Sequence, residues 1–298
     1  MSNIVTERFE RLRQEQMVPA GRPATAVIGS LREIFAHRQL LDLLIRRDLK
    51  SRYKDSALGF AWTLIRPLVQ LAIYFFVLGE ILGASRNIPE FAIYVFSGLT
   101  LYGLFSEIVA AGTASIVGNA GLIKKIYLPR EIYPLASVGA ALFNFGVQLV
   151  VLIAAAILQS GFAWVRLDLL YFLPSVAVIL IWATALALLL AALNVYLRDM
   201  QYLVEVLVLL LMWASPIVYS WQMVATRAPE WLLSIYTSNP ITLAVLGIHR
   251  AFWTAGADSE YPSHLLVRMA VAAVVGLVAL LVCQRVFAQL QGNFAQEI

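Results

Sequence analysis

Six apolar runs, each long enough to cross a hydrocarbon core, decide what this chain can fold into: about Thr63–Leu82, Ile93–Val117, Leu135–Leu158, Leu169–Val195, Leu203–Trp221 and Leu266–Val286. A crossing takes roughly 20 helical residues at about 1.5 Å each. Within lipid every backbone N–H and C=O must be satisfied inside the protein, which helices do residue by residue. The chain therefore reads as an all-α membrane protein. Its 61% hydrophobic and 13% charged residues agree, since soluble domains carry about 25% charged residues.

Charge placement orients the runs. With the N-terminus inside, sixteen Lys and Arg fall on cytoplasmic segments and four (Arg86, Arg166, Arg227 and Arg250) on external ones, with Arg66 and Arg268 at the boundaries. That is a strong positive-inside bias, and it puts both termini in the cytoplasm. Residues 1–30 mix Glu and Arg around no apolar core, so they read as a flexible cytoplasmic arm rather than a cleaved signal. Residues 31–298 then form one transmembrane domain. Within the long external connection, Trp231–Trp253 is apolar and about span length, but Asn239-Pro240 interrupts it. Proline lacks the helix donor and clashes with the preceding turn. The pieces suit a re-entrant segment between spans 5 and 6 better than a seventh crossing, which would carry the C-terminus outside.

Ahead of span 1, residues 31–58 read as an interfacial helix. At a helical period Leu41, Leu44, Ile45, Leu49 and Tyr53 share one stripe, and Arg46, Arg47, Lys50 and Lys54 lie opposite. The stripe is expected to face acyl chains and the basic side headgroups or a partner; Asp48 and Arg52, four apart, can pair. Charge alone allows lipid anchoring or protein docking. Between spans 2 and 3, Asn119 is a candidate N-cap for a short helix from Gly121 to Tyr127 that Pro129 ends. With Lys124 and Lys125 in its last turn, this loop is either an anchor or a lever against another protein.

Few side chains here suggest chemistry. Cys283 is alone in an apolar run, and His37, His249 and His264 have no ligand spacing, so no metal site is expected. No paired acids, nucleophile with base, or His-x-x-x-His points to an intramembrane enzyme on a polyprenyl phosphate. Internal repeats of an ion-coupled carrier are also missing. Glu107, near the middle of span 2, is costly in lipid and should face protein or water, either on a conduction path or as a polar contact that orients helices. Tyr74, Trp213 and Tyr219 are candidate channel aromatics, since sugar rings stack on such faces; Trp and Tyr also gather at bilayer interfaces. Ala136, Gly139, Ala140 and Gly146 allow close helix approach in span 3. The chain lacks a G-x-x-x-x-G-K-[ST] loop, so ATP-driven work would need a second chain.

Four stretches in order resemble one family: Arg47-Asp-Leu-Lys-Ser-Arg-Tyr-Lys with Leu58-Gly59, Trp62 and Pro67; Asn119 through Leu122-Ile-Lys-Lys to Pro129-Arg-Glu131; Asn194 through Arg198-Asp199; and Ala214-Ser-Pro-Ile-Val-Tyr219 followed by Asn239-Pro240. From about Leu43 to the end of span 6 the chain resembles permease subunits of type-2 ABC exporters for polysaccharides such as O-antigen and teichoic acid. The resemblance implies a homodimer in the bacterial inner membrane with two copies of a separate ATP-binding subunit, ATP and Mg residing on that partner and no cofactor on this chain. It implies a polyprenyl-diphosphate-linked glycan as cargo, contact with membrane lipid, and no nucleic acid. It implies coupling roles for Arg47, Asp48, Lys50, Arg52, Asn119, Leu122, Lys124 and Lys125, and an external gate at Asn239 and Pro240. An efflux permease for small amphipathic drugs or lipids remains the alternative on the same fold.

Overall fold

The computed structural model describes residues 36–53, 61–81, 83, 86, 88–124, 128–162, 164–256 and 261–297. All regular structure among them is helical. The elements are α1 (Arg38–Tyr53), α2 (Trp62–Ile73, continued by a π-helix over Tyr74–Ile81), α3 (Phe91–Gly118), α4 (Ala120–Ile123) and α5 (Ile132–Ser160). A 3-10 turn (Leu167–Tyr171) leads into α6 (Phe172–Tyr196), followed by α7 (Met200–Trp213), α8 (Trp221–Arg227), α9 (Glu230–Ser238), α10 (Pro240–Phe252), α11 (Leu265–Leu290) and α12 (Phe294–Glu297). Five helices are long and apolar enough to cross a membrane, or six if the bent pair α9–α10 is one span. The expected runs 1–4 and 6 each lie on one of these helices.

Two prolines fall where helices tolerate them, while Pro67 lies inside α2. Pro134 and Pro174 sit in the first turns of α5 and α6, where a backbone N–H would lack a partner anyway. The fifth run departs from expectation. The sequence predicts a span to Trp221, but α7 stops at Trp213 after 14 residues, about 21 Å at the helical rise. Pro216 cannot donate, and residues 214–220 leave the helix.

Their backbone carbonyls are met from other helices. The Tyr94 hydroxyl lies 3.0 Å from the Pro216 carbonyl and 2.8 Å from that of Tyr219, and Thr242 Oγ1 donates to Ala214 at 3.4 Å. Tyr94 is only 2% exposed. Replacing it with Phe should therefore lower the unfolding free energy by about 1–3 kcal/mol, because acceptors are left buried. A thermal midpoint in detergent equal to wild type would disprove this role.

α3 and α6 form the centre, with α5, α10 and α11 around them. The main core joins Phe96, Phe105 and Ile108 of α3 to Leu152, Ile179, Ala183 and Met269. Two smaller clusters mark the ends of the bundle. At one, Leu44, Ile116, Ile132, Val195, Phe287 and Phe294 meet; at the other, Ile88, Phe91, Tyr94, Val95 and Trp253. The described chain thus starts and finishes at the same end, beside the loop after α3. The α9–α10 pair bends by 78° at Asn239-Pro240. Asn239 Oδ1 accepts from Ile241 N–H at 3.0 Å and Pro240 opens α10, so the break is a capped helix start.

Candidate functional site

The site stands where α1 crosses the loop after α3. α1 packs on α5: Leu44 is 2% exposed among Ile116, Ile132 and Ala136, with Leu40, Leu41 and Ile45 alongside. Gly139 makes room for the Ile45 side chain, which a Cβ at that position would strike. This corrects one expectation. Leu44, Leu41 and Ile45 of the apolar stripe are spent on the bundle rather than offered to acyl chains; Leu43, off the stripe, is 60% exposed.

α1 then presents Arg46, Arg47, Asp48 and Lys50 along its solvent side. Arg46 pairs with Asp42 at 2.8 Å within the helix. Arg47 reaches further: its Nη2 donates to Asp48 Oδ1 at 2.7 Å and to Asn119 Oδ1 at 2.7 Å. Asp48 thereby takes Arg47, its chain neighbour; the Arg52 side chain, its expected partner, lies outside the described residues. Asn119 was expected to cap a helix. Instead its amide donates to the Ser115 carbonyl at 2.7 Å and its oxygen receives Arg47, and it makes no cap bond.

The helix it precedes is a single turn, Ala120–Ile123, held by bonds from Leu122 and Ile123 N–H to the Asn119 carbonyl. Ile123 is buried, Leu122 half-buried and Lys124 exposed; Lys125 lies outside the described residues. Arg47, Asp48 and Asn119 therefore meet directly, and Leu122 and Lys124 follow within one turn. A charge-assisted bond at 2.7 Å thus ties together two elements 72 residues apart.

The candidate channel residues fall into two groups. Glu107 Oε1 accepts from Asn144 Nδ2 at 2.7 Å, and both line a cavity of about 350 Å³ with Trp62, Arg66 and Gln148. Tyr74, whose hydroxyl receives Gln70 at 3.3 Å, borders a neighbouring cavity that shares Trp62 and Arg66. Trp213 and Tyr219 lie together on the α7 side. The Tyr219 hydroxyl donates to the Trp213 carbonyl at 2.8 Å and meets the Tyr236 hydroxyl at 3.3 Å, while Trp213 is 58% exposed. Asn144 and Gln148 were not anticipated, although two amides four residues apart in an apolar run were a visible signal. Tyr94 carried no such mark.

Residues 39–253 match the model of the ABC-2 type transporter family. The chain is 28% identical over 272 residues to the O-antigen export system permease protein RfbA of Myxococcus xanthus, covering 91% of this chain and 100% of that protein. It is 27% identical over 264 residues to a protein of the same name from Klebsiella pneumoniae, covering 86% and 95%. A shorter match, 26% over 82 residues, covers 28% of this chain and 32% of the polysialic acid transport protein KpsM of Escherichia coli. With the family match running from α1 to the end of α10 across this helical bundle, the chain belongs to the ABC-2 type transporter family.

Proposed function

We propose that this chain is the membrane-spanning permease of an ATP-driven exporter that moves a lipid-carrier-linked polysaccharide out of the bacterial cytoplasm. The observation that carries the reading is the end-to-end similarity to a permease named for O-antigen export. It is supported by the bridge from Arg47 to Asn119, which gives a separate ATPase a surface of two linked elements to act on. In this reading two copies of the chain pair in the inner membrane, each served by one ATP-binding subunit that carries the nucleotide and Mg. The end bearing α1, the loop after α3 and α12 faces the cytoplasm, in keeping with the excess of Lys and Arg on α1 and that loop. α1 lies along that surface, its exposed Leu43 and basic side chains against lipid and the partner. α9 and α10 dip into the bilayer from outside and return, and their Asn239-Pro240 turn forms the outer gate. The diphosphate-linked glycan passes between protomers along surfaces that include Tyr74, Glu107, Trp213 and Tyr219.

Gentle detergent extraction from native membranes, with co-purifying chains identified and quantified, tests this directly. An ATP-binding chain recovered one-to-one is the expected result. Recovery of the permease alone, stable and without an ATPase, would sink the reading.

A further inference from the structure

A cavity of about 420 Å³ opens at the end of the bundle away from α1, where the 3-10 turn before α6, the close of α10 and the start of α11 meet. Tyr171, Arg250, Tyr261 and Ser263 form its polar wall, and Leu266 and Val267 an apolar one. The charges in this corner do not balance. Arg250 Nε bonds Asp168 Oδ1 at 2.9 Å, and its guanidinium carbon lies 4.4 Å from the Tyr171 ring centre and 5.5 Å from that of Tyr261. Arg166 gives one nitrogen to the Thr254 carbonyl at 3.5 Å, but its Nε and Nη2 are buried with no partner. The Tyr261 hydroxyl is also buried and has no partner. Burial pushes that phenol well above its ordinary range, so it stays protonated and able to donate. Arg268 adds a third cation, bonded to the Ser263 carbonyl at 3.0 Å and Thr237 Oγ1 at 3.1 Å. Among the described residues here the carboxylates are Asp168 and Glu90, the latter receiving Ala255 N–H at 3.0 Å.

We infer that this cavity binds the phosphate group of a membrane lipid, whose chain runs down the face of α11 that carries Leu266 and Val267. The Arg250 guanidinium in the wall matches phosphate oxygens in charge and geometry, and the unpaired Tyr261 hydroxyl beside it is costly until an acceptor arrives. The apolar wall selects an amphiphile over a free anion: Leu266 is 44% and Val267 60% exposed at the mouth. Two sources share this chemistry, a resident phospholipid and an isoprenoid carrier phosphate. The inference needs only the fold and not the identity of the cargo.

The test is lipid retention by the purified full-length chain, read by native mass spectrometry. The probes are phosphatidylglycerol, undecaprenyl phosphate and, as a phosphate-free control, diacylglycerol. Wild type should retain one or both phosphate lipids and release diacylglycerol. Arg250→Gln should weaken retention by at least about tenfold, and Tyr261→Phe by about fivefold. Because the Tyr261 hydroxyl has no protein partner, Tyr261→Phe should leave the thermal midpoint intact, which separates binding from folding. Retention of undecaprenyl phosphate alone marks the site as one for the carrier; retention of phosphatidylglycerol as well marks a general lipid site. Equal retention of diacylglycerol, or phosphate-lipid binding unmoved by both variants, overturns the proposal. So does absence of binding to wild type. None of these readouts involves an ATPase or a glycan, so failure here and failure of the export reading are told apart.

Discussion

Gly112→Ala should destabilise the bundle by about 1–3 kcal/mol, and Gly112→Leu should prevent it from assembling. A Cβ built at Gly112 of α3 falls 2.5 Å from the Ala187 Cβ and 3.3 Å from the Ala187 Cα of α6. Neither neighbour is the end of a flexible side chain, so the two central helices themselves would have to part. They are also joined one residue on, where Asn194 Nδ2 donates to the Thr113 carbonyl at 3.0 Å. The compensating exchange is the sharper test. Gly112→Ala with Ala187→Gly moves the methyl across the crossing and should recover most of the lost stability, while Gly146→Ala, with nothing within 4 Å of its Cβ, should be nearly neutral. The thermal midpoint and elution profile in detergent report the outcome. Additive losses in the double variant would show that the contact does not limit the approach of α3 and α6.

Export should fall at least about tenfold in Arg47→Ala, the loss expected when a charge-assisted bond between two working elements is removed. Stability should barely change, because exposed ion pairs contribute about 0–1 kcal/mol and the Arg47 and Asp48 side chains are 43% and 30% exposed. Asn119→Ala should match Arg47→Ala. Asn119→Asp keeps an acceptor for Arg47 but loses the donor to the Ser115 carbonyl, and should fall between wild type and Asn119→Ala. Asp42→Ala breaks only the Arg46 pair inside α1 and should leave export unchanged. Surface glycan against intracellular glycan, with permease abundance in the membrane, separates these cases. Normal export by both Arg47→Ala and Asn119→Ala would remove the bridge from the mechanism.

The long helices were legible in the sequence because apolar length is a local property. Spans 1–4 and 6 match α2, α3, α5, α6 and α11 within a few residues. The Asn239-Pro240 break was legible for the same reason, since proline acts on its own turn. α7 was misread because the apolar run continues to Val218, beyond the point where Pro216 ends the helix. Partnerships across helices were less visible. Small residues in span 3 suggested close packing there; Gly139 does accommodate Ile45, but Gly146 faces open space, and a tight helix crossing uses Gly112 with Ala187 instead. Asn119 looked like a cap because its type fits one. Its choice of Arg47 and the Ser115 carbonyl depends on where α1 lands.

α3 buries Ser97, Thr100, Thr113 and Ser115 along with most of its apolar length. The helices that cover it, α5 and α6, come later in the chain. At about 5–20 residues per second, Tyr196 is added roughly 4–16 s after Gly118. Ser97, Thr113 and Ser115 donate to carbonyls of α3 itself, but through that interval the Thr100 hydroxyl and the Glu107 carboxyl must be accommodated by lipid or by the insertion machinery. Synthesis stalled between α3 and α6 should therefore leave α3 held at the machinery rather than released, so the central pillar is among the last helices to reach its permanent surroundings.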